Sequence, residues 1–433
     1  MKNIEGLNKR EFITQIKGKE IIFWGMGQMF SEAIEGLSEI KELPIAALID
    51  NSKTRRGEKI LVQGNEYLIE SPSLLENIDV TDKVLLITSK YYRDIIKQCE
   101  KIESLATLEC YTWVDVYWNE SLLERAIAGF RSLSLKRGIS DREINEKIEI
   151  YREKASLNEN YTIIPKINII VTEKCSLSCK DCRALIPHVK NPQNVPFEEV
   201  KEEIDIILSA VDDIIDMEPI GGEPFVYPDL AKVLDYMASS EKINTVVVST
   251  NGTIVPNDRL TAALKNPKVF VCISDYGHIE KMAQVVSHFE KNNISFEIES
   301  GQIWFDVGGV ENRNRTEDEL KEEYRNCYCQ YLVKYVWDNK IWVCPRAPRL
   351  SALNIFCDEN DFQKLSKNDN AETVRDKILQ TYNVKYAGAC NYCSQGDLDI
   401  KFVRAGVQTD NRIFNSEYTI VKRKEYEELK GRS

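Results

Sequence analysis

Histidine is scarce in this chain: His188, His278 and His288 are the only three in 433 residues, and they are far apart. That excludes a zinc site built mainly from imidazoles. No apolar run approaches the ~20 residues of a membrane-spanning helix. The opening stretch, Met-Lys-Asn-Ile-Glu-Gly-Leu-Asn-Lys-Arg, lacks the apolar region of a secretory signal. A basic excess is also missing: 57 Lys and Arg stand against 69 Asp and Glu, for a net charge of −12. Phosphate backbones are bound by basic stripes, so nucleic acid is not an expected partner. No repeat or low-complexity segment occurs. The expectation is a cytoplasmic protein that engages neither membrane nor nucleic acid.

What is present is cysteine. Twelve occur, and in a reducing compartment they are expected as thiols or metal ligands, not disulfides. Cys175, Cys179 and Cys182 stand in the run Glu-Lys-Cys-Ser-Leu-Ser-Cys-Lys-Asp-Cys. Three thiols at this spacing can hold three irons of a [4Fe–4S] cube and leave the fourth open to a small molecule. Cys327, Cys329, Cys344, Cys390 and Cys393 fall together in the last third. Cys99, Cys110, Cys272 and Cys357 read as small apolar or incidental residues.

A chain of this length exceeds one core, and its 43% apolar and 29% charged content is that of a globular protein. Short apolar strands alternate with helices from Glu20 onward, which predicts parallel sheets and an α/β class. Four segments are expected: 1–118, 119–160 as charged linker helices, 161–308, and 309–433. In the first, Gly25-Met-Gly27 follows a strand and Asp50 ends the next. This is part of a dinucleotide fingerprint, but Phe30 replaces its third glycine. Nucleotide or nucleotide-sugar binding and a plain tight turn in a docking domain both fit. Asp50-Asn-Ser-Lys, Gly64 and Ser71-Pro72-Ser-Leu-Leu resemble small Rossmann-like domains appended to sugar-modifying enzymes.

In the third segment Ile167–Val171 feeds the three-cysteine loop, and the next strand ends in Gly221-Gly-Glu-Pro224. Later strands end in Ser249, Asn251 and Ser274. Polar, glycine-bearing strand ends are where α/β sheets and barrels place their sites. C-x3-C-x2-C after a strand, followed by Gly-Gly-Glu-Pro, resembles the radical SAM superfamily over roughly residues 166 to 300. The resemblance implies a partial (β/α)6 barrel in which Cys175, Cys179 and Cys182 hold a [4Fe–4S] cluster. It implies that S-adenosylmethionine chelates the open iron. Gly221, Gly222, Glu223 and Pro224 would meet its amino group, and Ser249, Asn251 and Ser274 its ribose and carboxylate. Reductive cleavage would then give a 5′-deoxyadenosyl radical that abstracts hydrogen, with electrons from an external donor such as flavodoxin or ferredoxin. One departure stands out: the residue before the third cysteine is usually aromatic in the family, and here it is Asp181.

The late cysteines resemble the shortened SPASM, or Twitch, domain. Such a domain implies a second [4Fe–4S] cluster held by Cys327 or Cys329, by Cys344 on a β-hairpin, and by Cys390 and Cys393. A four-thiol zinc site would use the same spacing. The implied substrate is sugar-like or a cyclitol, oxidised or epimerised. A ribosomal-peptide maturase and a non-catalytic electron-transfer or scaffold protein are the alternatives. Asp275, Tyr276, Asp306, Arg346, Arg404 and Gln408 are polar candidates near strand ends or cysteine loops, with no catalytic base singled out.

Overall fold

Runs such as Ile21–Trp24 and Val84–Ile87 are apolar at every position, which suits strands buried on both faces. In the computed structural model they form the centre of a seven-stranded sheet. The structure describes residues 1–409 and 420–421, except 39, 90, 119, 278, 301–302 and 398–400. Most of the tail assigned to the fourth segment thus lies outside the described residues. Two compact units result, Met1–Ser121 and Leu122–Ser433.

The strands of the first unit are β1 (Lys2–Asn3), β2 (Glu20–Trp24), β3 (Ile45–Ile49), β4 (Lys59–Val62), β5 (Asn65–Glu70), β6 (Lys83–Ile87) and β7 (Glu109–Thr112). Their order is β1-β7-β6-β2-β3-β5-β4. All pairs are parallel except the β4–β5 hairpin. That hairpin turns at Gln63 and Gly64, both at positive φ, as a tight two-residue turn requires. Sequence reading had no strand there, because the turn pair Gln-Gly is a weaker signal than Asn-Gly.

The second unit opens with helices Leu122–Lys136 and Asp141–Leu157. Then come β8 (Ile163–Thr172), β9 (Asp213–Gly221), β10 (Ile243–Thr250), β11 (Val269–Asp275) and β12 (Phe296–Ser300), each parallel to the last. Helices Phe197–Ala210, Leu230–Ser239, Asp258–Leu264 and Ile279–Asn292 connect them. β13 (Ile303–Phe305) leaves this sheet and pairs with β17 (Phe402–Arg404). β14 (Val333–Trp337), β15 (Lys340–Trp342) and β16 (Phe362–Lys364) extend the sheet on the β8 side. β14 runs parallel to β8, and β15 and β16 return antiparallel. One sheet therefore draws strands from both sides of residue 308.

Period-two alternation places Ile214, Val246 and Val248 in the main core against the connecting helices. Their neighbours Ile215 and Val247 face the other way, toward Phe130 and Leu133 of the opening helix. Parallel strands put their C-terminal ends on one edge, so Thr172, Gly221, Thr250 and Asp275 gather there.

Candidate cofactor sites at the strand ends and in the late cysteines

The three-cysteine loop leaves β8 at Thr172 and lies against the end of β9. Gly222 N–H donates to the Thr172 carbonyl (3.1 Å), and Glu223 N–H to the Lys174 carbonyl (2.9 Å). This contact is what the two glycines serve. A Cβ on Gly221 would overlap the Thr172 carbonyl, and one on Gly222 would lie 2.6 Å from Lys174 C and 2.9 Å from Cys175 Cβ. No side chain fits in either place.

Glu223 is buried and its carboxylate is engaged from three directions. It accepts from Phe225 N–H (3.0 Å), the Thr250 hydroxyl (2.8 Å) and Asn251 N–H (2.8 Å). Burial raises its pKa, and these three donors oppose the shift. The carboxylate thus ties the end of β9 to the end of β10. Pro224 begins a short 3-10 turn.

Asn251, carried by the same knot, donates from Nδ2 to Ser176 Oγ (3.1 Å) and toward Cys175 Sγ (3.8 Å). Leu177 N–H also points at Cys175 Sγ (3.4 Å). Gln408 comes from the far end of the chain. Its Nε2 donates to Cys179 Sγ (3.3 Å), while its Oε1 accepts from Ser178 N–H (2.7 Å). Two of the three sulfurs thus have amide donors aimed at them, an arrangement that favours thiolate. Burial first, and then neighbouring acidic groups and thiols, work the other way and outweigh these donors, pushing the Cys175 thiol up to about 12 and Cys179 to about 11. A cationic metal core would reconcile the two.

Ser249 and Ser274 are half-buried on β10 and β11. Next to Ser274, Asp275 closes a turn by accepting from Gly277 N–H (2.8 Å). Tyr276 packs edge-on against Trp304 at 5.0 Å. Its hydroxyl is pushed up to about 12, first by burial and then by the charges of Cys179, Cys182 and Glu223. Asp181 keeps both carboxylate oxygens buried without a hydrogen-bond partner. Burial raises its pKa, Lys180 opposes, and the charge of Asp306 adds to the rise. Asp306 itself accepts from Gly308 N–H (2.9 Å). Arg404 is exposed on β17.

The five late cysteines converge. Cys327, Cys329, Cys344 and Cys390 share one buried cluster with Leu320, Tyr324 and Trp342. Cys393 joins them: it raises the thiol pKa of Cys327, Cys344 and Cys390 by its charge. The hairpin between β14 and β15 turns at Asp338 and Asn339, both at positive φ, which these two residue types tolerate. Asp361 anchors the Cys390 loop by accepting from Gly388 N–H (2.6 Å) and Ala389 N–H (2.9 Å). Arg315 clamps it, donating to the carbonyls of Cys390 and Cys393.

Among the basic residues around these sulfurs are Lys334, Arg346 and Arg349, of which sequence reading picked out only Arg346. Lys334, fully buried on β14, donates to the carbonyls of Cys329 (3.2 Å) and Gln330 (2.7 Å). Arg346 and Arg349, also buried, sit on the helix directly after Cys344. Arg349 reaches back to Glu173 beside the first loop (2.7 Å). The signal available in the sequence was the run Cys344-Pro-Arg-Ala-Pro-Arg349.

In the first unit Gly25 adopts φ +107, and a Cβ there would lie 2.7 Å from Ser89 Cβ. Asp50 accepts from Met26 N–H (2.9 Å) and Ser52 N–H (2.7 Å). Its carboxylate fastens the glycine turn to β3. A further acid-rich group, Cys272, Glu297 and Glu299, lies on β11 and β12. Lys136 neutralises it with 2.7 Å contacts to both glutamates. Among the described residues, no helix is long and apolar enough to cross a membrane.

No family model and no curated protein matches the chain. Solved structures do. The chain is similar to anSMEcpe with bound AdoMet, at 18% identity and a TM-score of 0.26, over 31% of this chain and 43% of that one. It is similar to BtrN in complex with AdoMet and 2-DOIA, at 11% identity and a TM-score of 0.33, over 60% of this chain and all of that one. It is also similar to Streptococcus suis SuiB bound to the precursor peptide SuiA, at 13% identity and a TM-score of 0.30, over 60% and 77% of the two chains. The match thus spans under half of anSMEcpe. At these TM-scores the chemistry rests on the chain's own residues.

Proposed function

We propose that the chain is a radical SAM enzyme with two iron–sulfur sites. One observation carries the reading: three thiols at the end of β8 are locked to Gly221-Gly-Glu-Pro224 at the end of β9, with Asn251 of the β10 end reaching one sulfur. Cys175, Cys179 and Cys182 would hold the SAM-binding [4Fe–4S] cluster. Four of Cys327, Cys329, Cys344, Cys390 and Cys393 would hold a second cluster in a Twitch-like domain. When bound, the first cluster and S-adenosylmethionine supply the electron and the species that abstracts hydrogen. The chain's residues position these groups. Glu223 and the glycines fix the loop, Asn251 and Gln408 donate to sulfur, and Tyr276 with Trp304 walls off water.

Glu223 accepts two protein donors on Oε1 and one on Oε2, so it orders the backbone there and keeps acceptor capacity on Oε2 for the methionine amino group. Iron–sulfur is proposed over zinc because the three-cysteine loop of the same chain already calls for a cube.

For the substrate we propose a sugar-like or cyclitol alcohol, with oxidation or epimerisation at a carbinol carbon. The supporting feature is the front unit: a mainly parallel, Rossmann-like sheet with a Gly25-x-Gly27 turn, a type of domain that resembles those on sugar-modifying enzymes. Anaerobic reconstitution with iron and sulfide tests the whole proposal. About eight irons per chain is the expected count. Expected too is release of 5′-deoxyadenosine from S-adenosylmethionine under a strong reductant. Four irons and no release would overturn it.

A further inference from the structure

Arg346 is 2% exposed and Lys334 0% exposed, and among the described residues no carboxylate forms an ion pair with either side chain. Lys334 meets two carbonyls and the face of Tyr382 at 4.5 Å. Arg346 donates to the carbonyls of Gly308 (2.5 Å) and Gly309, while its Nε and Nη1 have no partner. Two other cations near the pocket are paired: Arg315 with Asp397 (2.6 Å) and Glu323 (3.5 Å), Arg349 with Glu173. Asp361, the buried carboxylate of the Cys390 loop, is spent on two backbone N–H groups. A buried cation without a counter-charge is costly. The groups able to become anionic whose charge favours these cations are cysteines: Cys393 and Cys344 for Arg346, and Cys329, Cys344 and Cys327 for Lys334.

We propose that Lys334 and Arg346 are the built-in counter-charges of the five-cysteine pocket, holding an anionic iron–sulfur cluster and raising its reduction potential. The inference rests on the proposed function, since it needs a cluster in that pocket. Its physics is simple. A cluster held by four thiolates is negative and becomes more so on reduction, and fixed positive charge in a low dielectric stabilises the reduced state more. A raised potential suits a cluster that receives an electron. Neither residue is a catalytic residue in this scheme; each acts through the cluster.

The test uses the full chain with Cys175, Cys179 and Cys182 replaced by Ala, so that only the second site is read. About four irons per chain is expected there; none would sink the two-cluster reading itself. An electron paramagnetic resonance redox titration then compares Arg346→Gln and Lys334→Met with their parent. Each should disfavour reduction at least tenfold, which is about 59 mV toward lower potential for one electron. Arg346→Lys should stay at the parent's midpoint. Loss of the cluster from R346Q and K334M with retention in R346K also supports the proposal. Clusters retained with unmoved midpoints overturn it, as does an R346K variant that behaves like R346Q.

Discussion

Glycine 222 shows how little room the first loop has. Its hydrogen would have to become a methyl 2.9 Å from Cys175 Cβ. Gly222→Ala is therefore expected to displace Cys175 and lose the first cluster only, halving iron from about eight to about four per chain. Full iron in that variant would mean the loop tolerates what the geometry forbids. Glu223→Gln is a subtler change. The amide keeps the size, but its NH2 would face hydroxyl or N–H donors where an oxygen now accepts. A cost of roughly 1–3 kcal/mol is expected in denaturant unfolding of the metal-free protein. An unchanged midpoint would show that the carboxylate does not tie β9 to β10.

At the scale of elements, the hairpin that carries Cys344 is held from outside. Asn339 N–H donates to Glu203 Oε1 (2.9 Å) on helix Phe197–Ala210, while Oε2 of that carboxylate is buried and unpartnered. Burial pushes Glu203 from 4.5 up to about 7. The sign follows. Above pH 4.5 the unfolded chain ionises this group while the folded chain holds it neutral, so its contribution to stability falls as pH rises toward 7 and is flat beyond. Glu203→Gln keeps the acceptor and removes the titration. Unfolding free energies at pH 5 and pH 8 should fall less for the variant than for the parent, by at most about 3 kcal/mol. Parallel pH dependences in the two proteins would rule this out.

Across the whole molecule, legibility followed locality. The strands that feed the site were readable because buried parallel strands are continuous apolar runs and their ends carry Cys, Gly and Asn. The helices between them were readable from their 3.6-residue period. Other features depend on partners far along the chain. The position of β14 beside β8 is set by pairing across some 170 residues, and β16 and β17 are three residues long. The glycines before Glu223 announced close approach, but not that the approach is to Lys174. Lys334 reads as the solvent side of an alternating strand, and only the fold buries it. Asp50 stands where a ribose ligand would, and only the fold shows its carboxylate accepting from Met26 and Ser52 N–H.

The radical assignment itself is tested most directly by one comparison. Anaerobically reconstituted protein and its Cys182→Ala variant are each incubated with S-adenosylmethionine and a strong reductant, and 5′-deoxyadenosine is quantified. Release from the parent and none from the variant is expected. No release from an eight-iron parent, or equal release from the variant, would contradict the assignment of Cys175, Cys179 and Cys182 to the cluster that cleaves S-adenosylmethionine.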